Sequence, residues 1–110
     1  MTLRKNLPST AEAVAFINAC AGEELVRAHN RTASASYYID FEIPATKFIN
    51  QPLNYALTRF WRVLGTQTRT ARSMFYKSIY QWDFSPTRRL QLLYLLDGKT
   101  IVRLYDEELL

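Results

Sequence analysis

Leu90-Gln91-Leu92-Leu93-Tyr94-Leu95-Leu96-Asp97-Gly98-Lys99-Thr100-Ile101-Val102-Arg103-Leu104-Tyr105 decides the fold of this chain, because its first half suits two different structures. Ser85-Pro86 is a good N-cap and first-turn pair, so Thr87 to Leu96 can form a helix that stops at Gly98. Asp97-Gly98 is equally a strong hairpin turn between two apolar runs. The β-branched pair Ile101-Val102 favours a strand for the second run, whereas the Leu-rich first run has helix propensity. Pairing the runs across the turn places Leu92, Tyr94 and Leu96 on one face with Ile101 and Tyr105. Leu93 and Leu95 then share the other face with Val102 and Leu104, so both faces are apolar. The hairpin gives an α+β domain of three helices with a small antiparallel sheet; a helix over 87–96 gives a mainly α bundle instead.

Working outward, Ser9-Thr10-Ala11-Glu12 is a capping box, followed by Val14, Ile17, Ala21 and Leu25 at helical spacing with Gly22 as a breaking point. Tyr37 to Ile43 alternates strictly, with Tyr37, Ile39, Phe41 and Ile43 on one face and Asp40 and Glu42 on the other, until Pro44. After Pro52 the period becomes 3.6, with Leu53, Ala56, Leu57, Phe60, Trp61 and Leu64 on one stripe and Arg59 and Arg62 off it, up to Gly65. A further helix is expected to start among Thr66, Gln67 and Thr68. It collects Ala71, Met74, Phe75, Ser78 and Trp82 inward and Arg69, Arg72, Ser73, Tyr76 and Tyr80 outward. The aromatic stripe Phe60, Trp61, Phe75 and Trp82 reads as core.

Charge is distributed unevenly. The 110 residues carry +4 overall, but residues 56–92 hold Arg59, Arg62, Arg69, Arg72, Lys77, Arg88 and Arg89 against Asp83 alone. Six of those seven cations are Arg, whose planar fork grips phosphate or carboxylate oxygens in pairs. The central segment therefore reads as a binding surface.

Helix, strand, helix, turn, helix and hairpin, in that order from Ser9 to Tyr105, resembles winged helix-turn-helix domains, with Leu57 to Tyr76 as the twenty-residue unit and Leu90 to Tyr105 as the wing. Trp61 stands where that unit usually has a small residue, which widens the expected crossing. The resemblance implies that the helix from Gln67 enters a DNA major groove, with Gln67, Arg69, Thr70, Arg72, Ser73 and Tyr76 facing the bases. Arg59, Arg62, Lys77, Arg88 and Arg89 are then phosphate contacts. The function expected is a small DNA-binding regulator of transcription or accessory factor. The alternatives are a protein interaction module that sets the same Arg and Tyr face on an acidic partner, and an RNA-binding protein. A homodimer is expected through 101–110 or the first helix.

Other chemistry finds little support in the sequence. His29 and Cys20 are single and unrelated in spacing, which argues against a nucleophile pair, and Asp40 and Glu42 read as the wet side of a half-exposed strand. No Gly-rich phosphate loop occurs among three Gly, so no cofactor, metal or catalytic residue is expected. Asn30-Arg31-Thr32 is a glycosylation triplet, but the opening MTLRKNLPST lacks an apolar signal-peptide core, and a cytoplasmic location without a membrane partner is expected. Length indicates one domain over 1–110, with a flexible 1–8 and an acidic tail over 106–110.

Overall fold

A computed structural model describes residues 9–35, 37–45 and 51–106. The expected flexible 1–8, and the tail beyond Asp106, lie outside them. Helix α1 (Thr10–Ala21) starts where Ser9 Oγ accepts the Glu12 amide at 3.2 Å, as the capping box requires. It buries Ala13, Ile17, Cys20 and Ala21 and ends at Gly22, whose φ of 71° is left-handed. A Cβ on Gly22 would lie 3.1 Å from Val63 Cγ2, so glycine serves both the helix end and the approach of the next helix. Leu25 lies beyond the helix yet is buried, because Asn18 accepts the Leu25 and Val26 amides at 2.9 and 3.0 Å and donates to the Val26 carbonyl.

A three-residue 3-10 turn, Ala28–Asn30, leads into β1 (Arg31–Ala35) and β2 (Tyr38–Glu42). Helix α2 (Pro52–Leu64) has Pro at its first turn and buries Ala56, Leu57 and Phe60, as the 3.6 period predicts. Both helices pack on one face of a six-stranded antiparallel sheet of order β1-β2-β6-β5-β4-β3. The inner rows run Phe41, Val102, Leu92, Tyr80 and Ile39, Leu104, Leu90, Trp82 across paired strands. Phe41, Phe60, Ile17, Leu90, Leu92 and Leu104 are fully buried there, each worth roughly 1.5–3 kcal/mol.

Residues 66–83 overturn the expected third helix. They form β3 (Arg69–Ala71) and β4 (Tyr76–Asp83), and with β5 (Arg88–Leu95) and β6 (Thr100–Asp106) they complete an antiparallel meander. The three-helix domain with a small sheet, the helix-turn-helix unit over 57–76 and the mainly α alternative therefore do not describe this chain. The cause is local. Tyr76-Lys77-Ser78-Ile79-Tyr80-Gln81-Trp82 is rich in aromatic and β-branched residues, and its alternation sets Tyr80 and Trp82 inward against Leu92 and Leu90. The helical alternative needed Met74 and Phe75 inside; they are instead 78% and 68% exposed. Of the expected aromatic core stripe, Phe60 and Trp82 are buried, while Trp61 and Phe75 are exposed.

The hairpin over 90–105 forms, but one register step from its expected pairing. The Leu95 amide bonds to the Lys99 carbonyl at 2.9 Å, so the loop is Leu96-Asp97-Gly98, three residues with Gly98 at φ 92°. Leu92 consequently faces Val102, and Leu93 faces Ile101. One step of slip exchanges every side chain between faces of the sheet.

Candidate interaction surface

Of the expected phosphate contacts, three are committed to carboxylates within the chain. Arg59 pairs with Glu23 at the end of α1, donates to Tyr55 Oη at 3.1 Å and stacks 4.7 Å from the Tyr55 ring. Tyr55 in turn donates to Glu23, so this triad ties α2 to the chain leaving α1. Arg88 lies 3.9 Å from Asp106 and 5.3 Å from the Phe16 ring. Arg89 lies 3.9 Å from Asp83, donates to the Pro86 carbonyl and stacks 5.0 Å from Tyr105. All three are partly buried, so their first role is to hold elements together.

Arg62, on the last turn of α2, and Lys77, at the start of β4, remain exposed. The expected base-facing set is divided in the same way. Gln67 accepts from Trp61 Nε1 at 2.6 Å and braces the segment leaving α2. Arg69 and Thr70 lie exposed on β3, opposite Gln81 and Tyr80. Ser73 shapes the turn that follows: its Oγ accepts the Phe75 and Tyr76 amides at 3.2 and 3.3 Å. Tyr76 is half-buried at the head of β4. No helix carries these residues; they run from the segment after α2 through the edge strand β3 and its hairpin loop to the head of β4.

Arg62, Arg69, Arg72 and Lys77 make no ion pair with a described residue; Lys77 Nζ lies 5.4 Å from the Tyr94 ring. In the chain between Arg72 and Lys77 lie Met74 and Phe75, the two most exposed large apolar side chains among the described residues. Beside this tip, Thr70, Arg72, Lys77, Ser78 and Tyr80 line an open hollow of about 480 Å³. Sequence reasoning missed the tip because helical spacing placed both residues inward. A signal was present nonetheless: Ser73-Met74-Phe75 interrupts the alternation of β4, as a loop does.

One of the two carboxylates of β2 also differs from expectation. Asp40 is buried, accepting from Arg103 Nε and Nη2 at 2.8 and 3.0 Å. Burial alone would lower the Arg103 pKa, but the hydrogen bond and negative charge of Asp40 outweigh it and raise the value. Burial pushes the Cys20 thiol up to about 11, with Arg88 opposing, while His29 sits exposed in the 3-10 turn. Among the described residues no group of three or more His, Cys, Asp or Glu is placed to hold a metal ion. No helix among them is long and apolar enough to cross a membrane. Comparison with known proteins finds no matching family model, no matching curated protein and no matching solved structure.

Proposed function

We propose that the protein is an interaction module that docks an acidic protein partner on the β3–β4 hairpin. The observation that carries this reading is the pairing of two exposed apolar side chains, Met74 and Phe75, with cations that no described carboxylate neutralises. Covering one such side chain in a complex contributes roughly 1.5–3 kcal/mol, so the two supply affinity. Arg72 and Lys77 beside them supply attraction to acidic groups and discrimination against basic partners. A phosphate backbone would use the cations but leave Met74 and Phe75 without a role. That favours protein over duplex DNA or RNA.

A titration with a synthetic peptide alternating Glu and Leu, monitored by fluorescence anisotropy at two salt concentrations, tests it. Binding is expected to weaken with salt and to fall about tenfold or more in both Arg72→Ala/Lys77→Ala and Met74→Ser/Phe75→Ser. Random duplex DNA that binds instead, sensitive to the cation pair and indifferent to the apolar pair, returns the function to nucleic-acid recognition.

A further inference from the structure

An antiparallel sheet that does not close on itself has two edge strands, each turning a row of backbone N–H and C=O groups away from its neighbour. Here they are β1 and β3. The two edges are built differently. β1 is interrupted by an irregularity in register between Arg31 and Ala33, and the Arg31 side chain is tied back to Thr10 Oγ1 at 2.9 Å. An irregularity of that kind is one way in which an edge is kept from pairing further. β3 holds no proline, and Arg69, Thr70 and Ala71 pair in unbroken register with Gln81, Tyr80 and Ile79. Backbone bonds continue past both ends of it: the Thr68 amide donates to the Gln81 carbonyl at 2.7 Å and the Ser73 amide to the Tyr76 carbonyl at 3.2 Å. All six residues over 68–73 are exposed, and no described strand lies on their far side.

The side chains along this edge select what can pair with it. Thr70 and Arg72, two residues apart and so on one face by strand alternation, border the open hollow together with Lys77, Ser78 and Tyr80. Arg72 and Lys77 make that side of the edge basic, and neither forms an ion pair with a described residue. Ala71, also exposed, turns to the other face and offers a small apolar surface. A strand that alternates acidic and apolar side chains matches both faces at once: its carboxylates lie toward Arg72 and Lys77, its apolar side chains toward Ala71. A second copy of this chain matches poorly, because β3 against β3 gathers Arg69 and Arg72 of both copies on adjacent strands, where like charges oppose pairing.

We propose that an extended acidic segment of the protein partner adds to β3 as a seventh strand of the sheet. Strand addition rests on the acidic-partner reading of the same hairpin and specifies the partner's conformation. Backbone bonds to the free edge of β3 supply affinity, and the alternating side chains supply specificity. The chain runs from this edge directly into the loop that exposes Met74 and Phe75, so the added strand leads toward the apolar tip. A helical partner would satisfy its own amides and leave the edge of β3 unused.

Fluorescence anisotropy with the alternating Glu and Leu peptide, and with two backbone-methylated forms of it, tests strand addition. Successive amides of an extended chain point to opposite edges, so methylating every Glu nitrogen, or every Leu nitrogen, blocks one edge only. One methylated peptide is expected to bind within about twofold of the parent and the other to lose about tenfold or more. Arg72→Glu is expected to weaken the parent peptide about tenfold and to prefer a Lys and Leu counterpart, a reversal that misfolding does not produce. Hydrogen exchange is expected to slow at 68–73 when the peptide binds, and not at 31–35. A parent peptide that fails to bind overturns acidic docking and strand addition together. Where the parent binds, equal binding or equal loss by the two methylated forms, no reversal in Arg72→Glu, or slowing at 31–35 in place of 68–73 overturns strand addition alone. Slowing at 68–73 on concentrating the protein without peptide gives the edge to a second copy and overturns the acidic occupant.

Discussion

Two hairpins of the meander, β5–β6 and β3–β4, differ in what they bury and what they expose. The β5–β6 hairpin occupies the middle of the sheet, buries Leu90, Leu92, Val102 and Leu104 beneath the helices, and closes over a three-residue loop. The β3–β4 hairpin sits at the sheet edge, pairs over three residues of β3, and exposes Met74 and Phe75 at its tip. Stability is concentrated in the first, and the proposed contact lies on the second. An edge hairpin can carry exposed apolar residues because little of the core depends on its loop.

The largest effect that distinguishes them is a core deletion. Leu92→Ala is expected to cost about 3–4 kcal/mol in urea unfolding, as a fully buried leucine with little room to relax. Phe75→Ala in the other hairpin is expected to change stability by less than about 0.5 kcal/mol. Asp40→Ala comes next, at about 2–3 kcal/mol, because it leaves the partly buried Arg103 of β6 without its carboxylate. An Asp40→Ala protein as stable as the wild type would show that Arg103 finds water or another partner at no cost. Gly98→Ala is expected to cost about 1 kcal/mol through its positive φ, measured as a lower urea midpoint, while Ser73→Ala in the β3–β4 loop costs about 0.5 kcal/mol. Cys20 adds a dependence on pH. Folding holds its proton, so this stabilisation is complete below the ordinary thiol pKa of 9.0 and is lost as pH rises through about 11; thermal midpoints at pH 8 and pH 10.5 are expected to fall in that order, and a rise would contradict the sign.

The helices were legible because local signals determine them. Ser9 with Glu12, Pro52 and the 3.6-residue stripes need nothing from distant residues, and the alternation of Tyr38–Glu42 needs only itself. Residues 66–83 were not legible for the opposite reason. Ala71, Met74, Phe75, Ser78 and Trp82 match a helical stripe by spacing, and only pairing with β5 selects the period of two. The register of β5–β6 turned on whether its loop holds two residues or three, a choice made by one backbone bond between Leu95 and Lys99. In the candidate site, the clustering of cations was visible in the sequence, but their partners were not. Glu23, Asp83 and Asp106 take up Arg59, Arg89 and Arg88 through tertiary contacts, which leaves Arg72 and Lys77 at the hairpin tip without a carboxylate partner among the described residues.

One variant, Met74→Ser/Phe75→Ser, carried through two measurements, tests the division of labour directly. If β3–β4 serves contact and β5–β6 serves stability, its urea midpoint matches the wild type while binding to the Glu and Leu peptide falls about tenfold or more. A midpoint that drops by more than about 1 kcal/mol of stability, with peptide binding intact, would place the tip in the fold and contradict the account.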